Sequence, residues 1–441
     1  MLNIQKKMTN SFYALLSLPA TAMGFALCVQ ISALSWILST KYGLDIHEIG
    51  IVWAAGPIAG IIAQPIVGLV SDKMWFLGGR RRPWILIGGI LAAMMMLALP
   101  NLHIIQKIVI GGVDPKAGLL GIAVAVALTF DLSINVSFNP TRSLVADCTS
   151  KENRSKGFTW MQTVSGTFGV MAYLIGGQIS NYVLIYCGVG IALLATIIPA
   201  FLIQEPRVLE QEETIEKSAS SSRDVIESLL PLAGFLVYGV YVIIEQLFGF
   251  EITAGLSVMG YHINVVEVIC LALIVMSIIL VLFNLTGSNK NSNEFQKVLL
   301  AHSFTWIGVQ SMFIYALFFI KQKMPELDAT SAGSVNSYAF FVLNLVSAIL
   351  PVLVLNYYSK RIGMVRTHAI CMWIMCIGYA SIFFLPMNPW IYYLLIAICG
   401  IGWASVVSLP FAIMSEKVDQ SKMGLYMGIF NLSVVLPQLV A

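Results

Sequence analysis

Charge is what this sequence has least of. Aspartate, glutamate, lysine and arginine make up only 11% of its 441 residues, against 58% hydrophobic residues. A water-soluble domain cannot hide that much apolar surface, so the chain reads as an integral membrane protein. The net charge of +3 is too small for a nucleic-acid partner. Seven cysteines include no CxxC pair, and five histidines show no metal-ligand spacing, so no disulfide, metal or cofactor is expected. The start, MLNIQKKMTNSF, lacks a small-residue cleavage site, so the first apolar run is expected to stay as a helix. No His/Asp/Cys set stands at catalytic spacing and no filter motif repeats, which argues against a membrane enzyme and against a channel.

What is abundant is apolar sequence in bilayer-spanning lengths, about 20 residues of helix each. Runs at 12–38, 48–71, 83–101, 118–147, 157–183, 185–204, 228–250, 262–285, 298–320, 333–357, 367–386, 390–414 and 422–441 predict thirteen helices. The charged, serine-rich stretch QEPRVLEQEETIEKSASSSRD interrupts them and reads as a flexible cytoplasmic linker. The expected organisation is a six-helix bundle at 1–204, a linker at 205–227, an inserted two-helix hairpin and loop at 228–297, and a second bundle at 298–441. Five helices are visible in that second bundle, so a last helix missing beyond Ala441 is expected. With the N-terminus in the cytoplasm, nineteen lysines and arginines fall in cytoplasmic segments and five outside, which sets the orientation of a multi-pass protein of the cell membrane (the inner one in a bacterium).

The two bundles repeat each other. QPIVGLVSDKMWFLGGRRRPW at 64–84 corresponds to LPVLVLNYYSKRIGMVRTHAI at 350–370, and NPTRSLVADCTSKENRSKG at 139–157 to LPFAIMSEKVDQSKMG at 409–424. Two matches in the same order indicate a duplicated six-helix unit.

One helix carries polar groups where oil is expected. In DLSINVSFNPTRSLVAD, positions 131, 135, 138 and 142 fall within about 60° of one another on a helix. Asp131 then lies roughly 18 Å deep, near the midplane, and Arg142 roughly 16 Å nearer the cytoplasm. Charges at such depth cost several kcal/mol against lipid, so this face is expected to border a wet cavity. A carboxylate there can be neutral or charged according to access and neighbours, as proton coupling requires; the competing reading is a structural Asp–Arg bridge, which the separation disfavours. For Arg142 the competing reading is a side chain that snorkels to the cytoplasmic interface. Gln30, Gln162, Gln310, Asn344 and Asn431 are uncharged hydrogen-bonders in apolar runs, suited either to sugar hydroxyls or to bonds between helices. Trp306 and Tyr315 could stack on a sugar ring, while Trp75, Trp84 and Trp390 read as interfacial belt residues. Glu245 and Glu267 of the inserted pair are expected to face each other or the bundle.

These motifs carry a resemblance. Gly68, Asp72 and Lys73 followed by Gly79, Arg80, Arg81 and Arg82 resemble the loop between helices two and three of the major facilitator superfamily. The longer pattern QPIVGLVSD…GRRRPW resembles that of the sucrose/maltose transporters in its glycoside–pentoside–hexuronide:cation symporter group. Asp131, Asn135, Pro140, Arg142 and Asp147 are similar to that group's fourth helix, and GIFNLSVVLPQLV at 428–440 to its eleventh. The resemblance covers 20–205 and 298–441. It implies an all-α major facilitator fold of two pseudo-symmetric bundles, and a monomeric proton-coupled symporter that imports a disaccharide or small oligosaccharide. Asp131 is then the expected proton-coupling residue. Gln30, Asn135, Arg142, Gln162, Trp306, Gln310, Asn344 and Asn431 are the expected substrate contacts, and Asp72, Arg80, Arg81, Arg82 and Asp147 the cytoplasmic gate. An uncoupled or drug-exporting carrier of the same fold is the alternative.

Overall fold

The computed structural model describes residues 3–111, 118–149, 154–206, 229–248, 254–258, 261–285, 290–417 and 423–441, together with 227 and 252. Most of the expected linker, 207–226, lies outside the described residues. The first six principal helices are α1 (Asn10–Thr40), α2 (Ile46–Lys73), α3 (Arg82–Ala98), α4 (Leu119–Asp147), α5 (Arg154–Gln178) and α6 (Asn181–Leu202). The inserted pair is α7 (Ala233–Phe248) and α8 (Val265–Leu282). There follow α9 (Lys290–Lys323), α10 (Ala329–Leu350), α11 (Met364–Phe384), α12 (Pro389–Lys417) and α13 (Met423–Gln438). Among the described residues, nine helical spans are long and apolar enough to cross a membrane.

Helix starts are written in local chemistry. Asp45 accepts from the N–H groups of His47 and Glu48, while Glu48 reaches back to the Asp45 N–H at 2.8 Å, a reciprocal cap on α2. Asn264 and Glu267 form the same box on α8. Thr9, Ser180 and Asp328 cap α1, α6 and α10, each satisfying an N–H that the first turn leaves unpaired. Pro351, placed after α10, coincides with a five-residue π turn, Pro351–Leu355, before a short helix Asn356–Ile362.

Three features depart from expectation. The third span does not stop at 101: a 3-10 turn at Leu99–Asn101 passes into a further helix, Leu102–Ile110, which carries Lys107. Pro100 stands in the first turn of that 3-10 segment, where a proline is tolerated. The span expected at 262 begins with a strand instead. β1 (Gly255–Val258) and β2 (Tyr261–Asn264) pair antiparallel, Val258 opposite Tyr261, and join α7 to α8. Ala233–Phe248, with the 3-10 turn Leu230–Leu232 before it, is shorter than the run at 228–250.

The chain forms two compact units. The first contains residues 1–210, 313–352 and 373–403, and the second 211–312, 353–372 and 404–441. In the first, Phe12, Leu16, Ile85, Leu144, Val145, Met161 and Ile203 form one buried cluster that ties α1, α3, α4 and α5 together. In the second, Phe295 and Leu299 of α9 pack with Met414 of α12 and with Ile429 and Phe430 of α13.

Candidate functional site

Asp131 is 7% exposed, and its Oδ2 accepts a hydrogen bond from the Gln30 amide of α1 at 2.9 Å. Gly56 of α2 lies against the carboxyl group: a Cβ there would stand 3.1 Å from Asp131 Oδ2. The carboxylate is thus held between a donor and a bare stretch of helix backbone. Gln30 was expected to meet substrate, whereas here its amide donates to Asp131. Asn135 turns back on its own helix, its Nδ2 donating to the Asp131 carbonyl at 2.8 Å.

Two further expected residues line one cavity of about 200 Å3, walled by α1, α4 and α5. Arg142 and Gln162 are both in its wall, beside Phe138, Thr141 and Ser165. The Arg142 guanidinium lies over the Phe138 ring, 4.3 Å from its centroid, a cation–π contact. The pair sits four residues apart on one face, as the helical stripe requires. The cavity thus sets a cation and an amide beside Phe138, Thr141 and Ser165, with Ala20, Met23, Gly24, Leu27 and Met161 completing its wall.

At one end of the first unit, beside the N-terminus, lies the basic loop. Arg81 Nε meets Asp147 Oδ2 at 3.1 Å, joining α4 to the start of α3. Glu205, which the sequence placed in the linker, is the centre of this loop. Its carboxylate, 2% exposed, accepts from the backbone N–H groups of Arg80, Arg81 and Arg82 and pairs with the Arg82 guanidinium at 3.4 Å. Arg82 also donates to the carbonyls of Gly78, Ala200 and Ile203. The three arginines therefore act as much through their backbone as through their charge, and a single glutamate caps α3 for all of them. The side chain of Asp72 lies outside the described residues.

The opposite end of the first unit holds a polar seam that the sequence did not reveal. Asn181 Oδ1 accepts from Ser32 Oγ at 3.2 Å and from Ser337 Oγ at 2.9 Å, and the two serine hydroxyls also meet each other. Trp36 donates its indole N–H to the Ala329 carbonyl at 2.8 Å, and Lys321 Nζ donates to Ser39 Oγ at 3.0 Å. Gly333 and Gly177 let the helices approach: a Cβ on Gly333 would stand 2.5 Å from Trp36 Nε1, and one on Gly177 2.9 Å from the Tyr338 ring. Serine and asparagine in apolar helices are common, so only their convergence in space marks them.

The remaining expected contacts are distributed. Asn344 donates to the Phe340 carbonyl of its own helix at 2.9 Å. In the second unit, Gln438 Nε2 donates to Gln310 Oε1 at 3.2 Å, and Trp306 donates to His302 Nε2 at 2.9 Å. Asn431 is half-buried on α13. Tyr315 lies near α2, 3.7 Å from where a Cβ on Gly50 would be. Trp390 is 80% exposed, as suits a belt residue, whereas the Trp84 indole nitrogen is buried. Glu245 and Glu267 do not meet directly. Glu245 accepts from Tyr241, whose hydroxyl accepts from Asn264, and Asn264 is capped by Glu267.

Known proteins resemble the chain in sequence and in fold. The general alpha-glucoside permease of Schizosaccharomyces pombe is 27% identical over 175 residues, 36% of this chain and 31% of that protein. Human proton-associated sugar transporter A is 31% identical over 140 residues, 31% of this chain and 18% of that protein. The chain thus matches a third or less of the length of these relatives. The crystal structure of nucleoside transporter NupG superposes with a TM-score of 0.60 at 12% identity, covering 100% of this chain and 90% of that one, a likeness of fold. The sequence pattern of the Major Facilitator Superfamily matches residues 16–441, and the chain belongs to that family of membrane carriers.

Proposed function

We propose that the chain is a proton-coupled symporter that imports a disaccharide or small oligosaccharide by alternating access. The observation that carries this reading is the Asp131 carboxylate, buried and held by Gln30 of α1, on α4, the helix whose Arg142 and Phe138 wall the cavity. The names of the relatives, an alpha-glucoside permease and a proton-associated sugar transporter, support the substrate class and the coupling ion.

In this reading the proton resides on Asp131. When Asp131 is an anion, the Gln30 amide is drawn to it; when it is neutral, that bond weakens and α1 is freer to move against α4. Arg142 stays charged throughout, since a guanidinium does not shed its proton at accessible pH. It offers two parallel donors to sugar hydroxyls, with Gln162 beside it, and the Phe138 ring keeps the guanidinium plane fixed. Trp306, Gln310 and Asn431 are the sugar contacts assigned within the second unit. With the N-terminus cytoplasmic, Arg81–Asp147 and Glu205 brace the inner end. The Ser32–Asn181–Ser337 seam then closes the outer one.

The test is uptake of radiolabelled maltose and sucrose into proteoliposomes, with and without an imposed inward proton gradient. The reading expects accumulation above the outside concentration with the gradient and only equilibration without it. Uptake indifferent to the gradient would favour an uncoupled carrier, and uptake of neither sugar would remove the substrate class.

A further inference from the structure

The histidines showed no metal spacing, yet one of them makes a contact that the proposed function does not use. His302 on α9 is 2% exposed. Its Nε2 accepts from the Trp306 indole N–H at 2.9 Å, and its ring lies nearly parallel to Phe430 of α13, centroids 4.7 Å apart and planes 18° from parallel. Its Nδ1 is buried with no hydrogen-bond partner among the described residues.

The tautomer follows from these contacts. An indole N–H only donates, so Nε2 carries the lone pair and the proton sits on Nδ1. An imidazolium has N–H groups at both positions and could not accept from Trp306, so the bond exists only with a neutral ring. The titratable group that bears on it is His368 of α11, whose Nδ1 lies 2.7 Å from Ser405 Oγ of α12; α13 brings Phe430, which does not titrate.

A histidine that served only to fill the core would be a poor choice here. A buried donor without an acceptor is destabilising, and a phenylalanine would stack on Phe430 without one. What the imidazole adds over a phenyl ring is the lone pair offered to Trp306. Positions 302, 306 and 310 follow one another at four-residue steps on α9, and Gln310 is likewise held by a neighbour, Gln438. We propose that His302 is the positioning residue for Trp306, fixing the indole so that it presents one face to the sugar. The proposal rests on the assignment of Trp306 to the sugar site made above.

The experiment measures KM and kcat for radiolabelled maltose in proteoliposomes, with thermal stability in detergent, for His302→Phe, His302→Gln, Trp306→Phe and the double variant His302→Phe/Trp306→Phe. Removing the acceptor should raise KM about tenfold in His302→Phe with kcat little changed, while stability equals or exceeds that of the parent. Glutamine keeps an acceptor near the Nε2 position, so His302→Gln should restore KM. The double variant should be no worse than Trp306→Phe, because the two residues act as one. Normal KM in Trp306→Phe overturns the place of Trp306 in the sugar site. A defect in Trp306→Phe beside a normal His302→Phe overturns the positioning role alone. So does a His302→Phe protein that is clearly less stable, or a His302→Gln protein as defective as His302→Phe.

Discussion

Arg142 shows how one side chain combines charge and shape. Its guanidinium lies over the Phe138 ring and borders the cavity. Lysine would keep the charge but lose the planar fork and its paired donors. Arg142→Lys is therefore expected to lower uptake by about tenfold or more at unchanged expression, measured as initial rate per reconstituted protein. Near-normal uptake would place the residue outside the sugar site. The spacing that sets Phe138 and Arg142 on one wall of the cavity was legible in the sequence, because a helix leaves residues four apart on one face. The partner of Asp131 was not: Gln30 is 101 positions away, and no local pattern says which of several buried glutamines will reach a given carboxylate.

Helices are the next scale, and here caps and loops decide. Thirteen spans were expected; α1 to α13 stand near those apolar runs, and among the described residues nine spans are long and apolar enough to cross a membrane. The β-hairpin before α8 fell mostly between two expected runs, only His262–Asn264 lying at the start of the second, and the 3-10 join at Leu99–Asn101 looked like a helix end because of Pro100. Glu205 was missed because it is adjacent in sequence to a charged linker, although in space it caps α3. Breaking such a buried charge pair costs roughly 3–5 kcal/mol, so Glu205 belongs to the folded body. Arg81→Ala, which removes the bond to Asp147 of α4, is expected to slow maximal transport severalfold while sugar affinity measured at equilibrium stays within about twofold. A large loss of affinity at normal turnover would contradict the gate assignment. Asp328 caps α10, and its bonds to Ser331 hold its carboxyl below the usual carboxylate range. A group whose folded value is depressed stabilises above its unfolded value, near 4, and loses that contribution as pH falls through the folded one. The difference in thermal stability between the parent and Asp328→Asn should accordingly be constant from neutral pH down to about 5 and shrink below about 4. A difference that persists undiminished at acid pH would contradict the cap.

At the scale of the whole molecule, the account requires a path that closes at one end while the other opens. The seam of Ser32, Asn181 and Ser337 is made of neutral hydrogen bonds, each worth only about 1 kcal/mol net. Such a latch is tight enough to close and cheap enough to break on every cycle, as a buried ion pair would not be. Cysteines at positions 32 and 337 should cross-link under mild oxidation and stop transport, and reduction should restore it. A cross-linked protein that transports at the normal rate would show that the seam never opens. The claim on which the rest depends is that sugar and proton move together through Asp131. The most direct measurement follows the pH outside proteoliposomes when maltose is added without any imposed gradient. The account predicts immediate external alkalinisation with the parent protein, and none with Asp131→Asn, although that variant still exchanges labelled for unlabelled sugar. Sugar entry without alkalinisation, or alkalinisation that survives in Asp131→Asn, would contradict it.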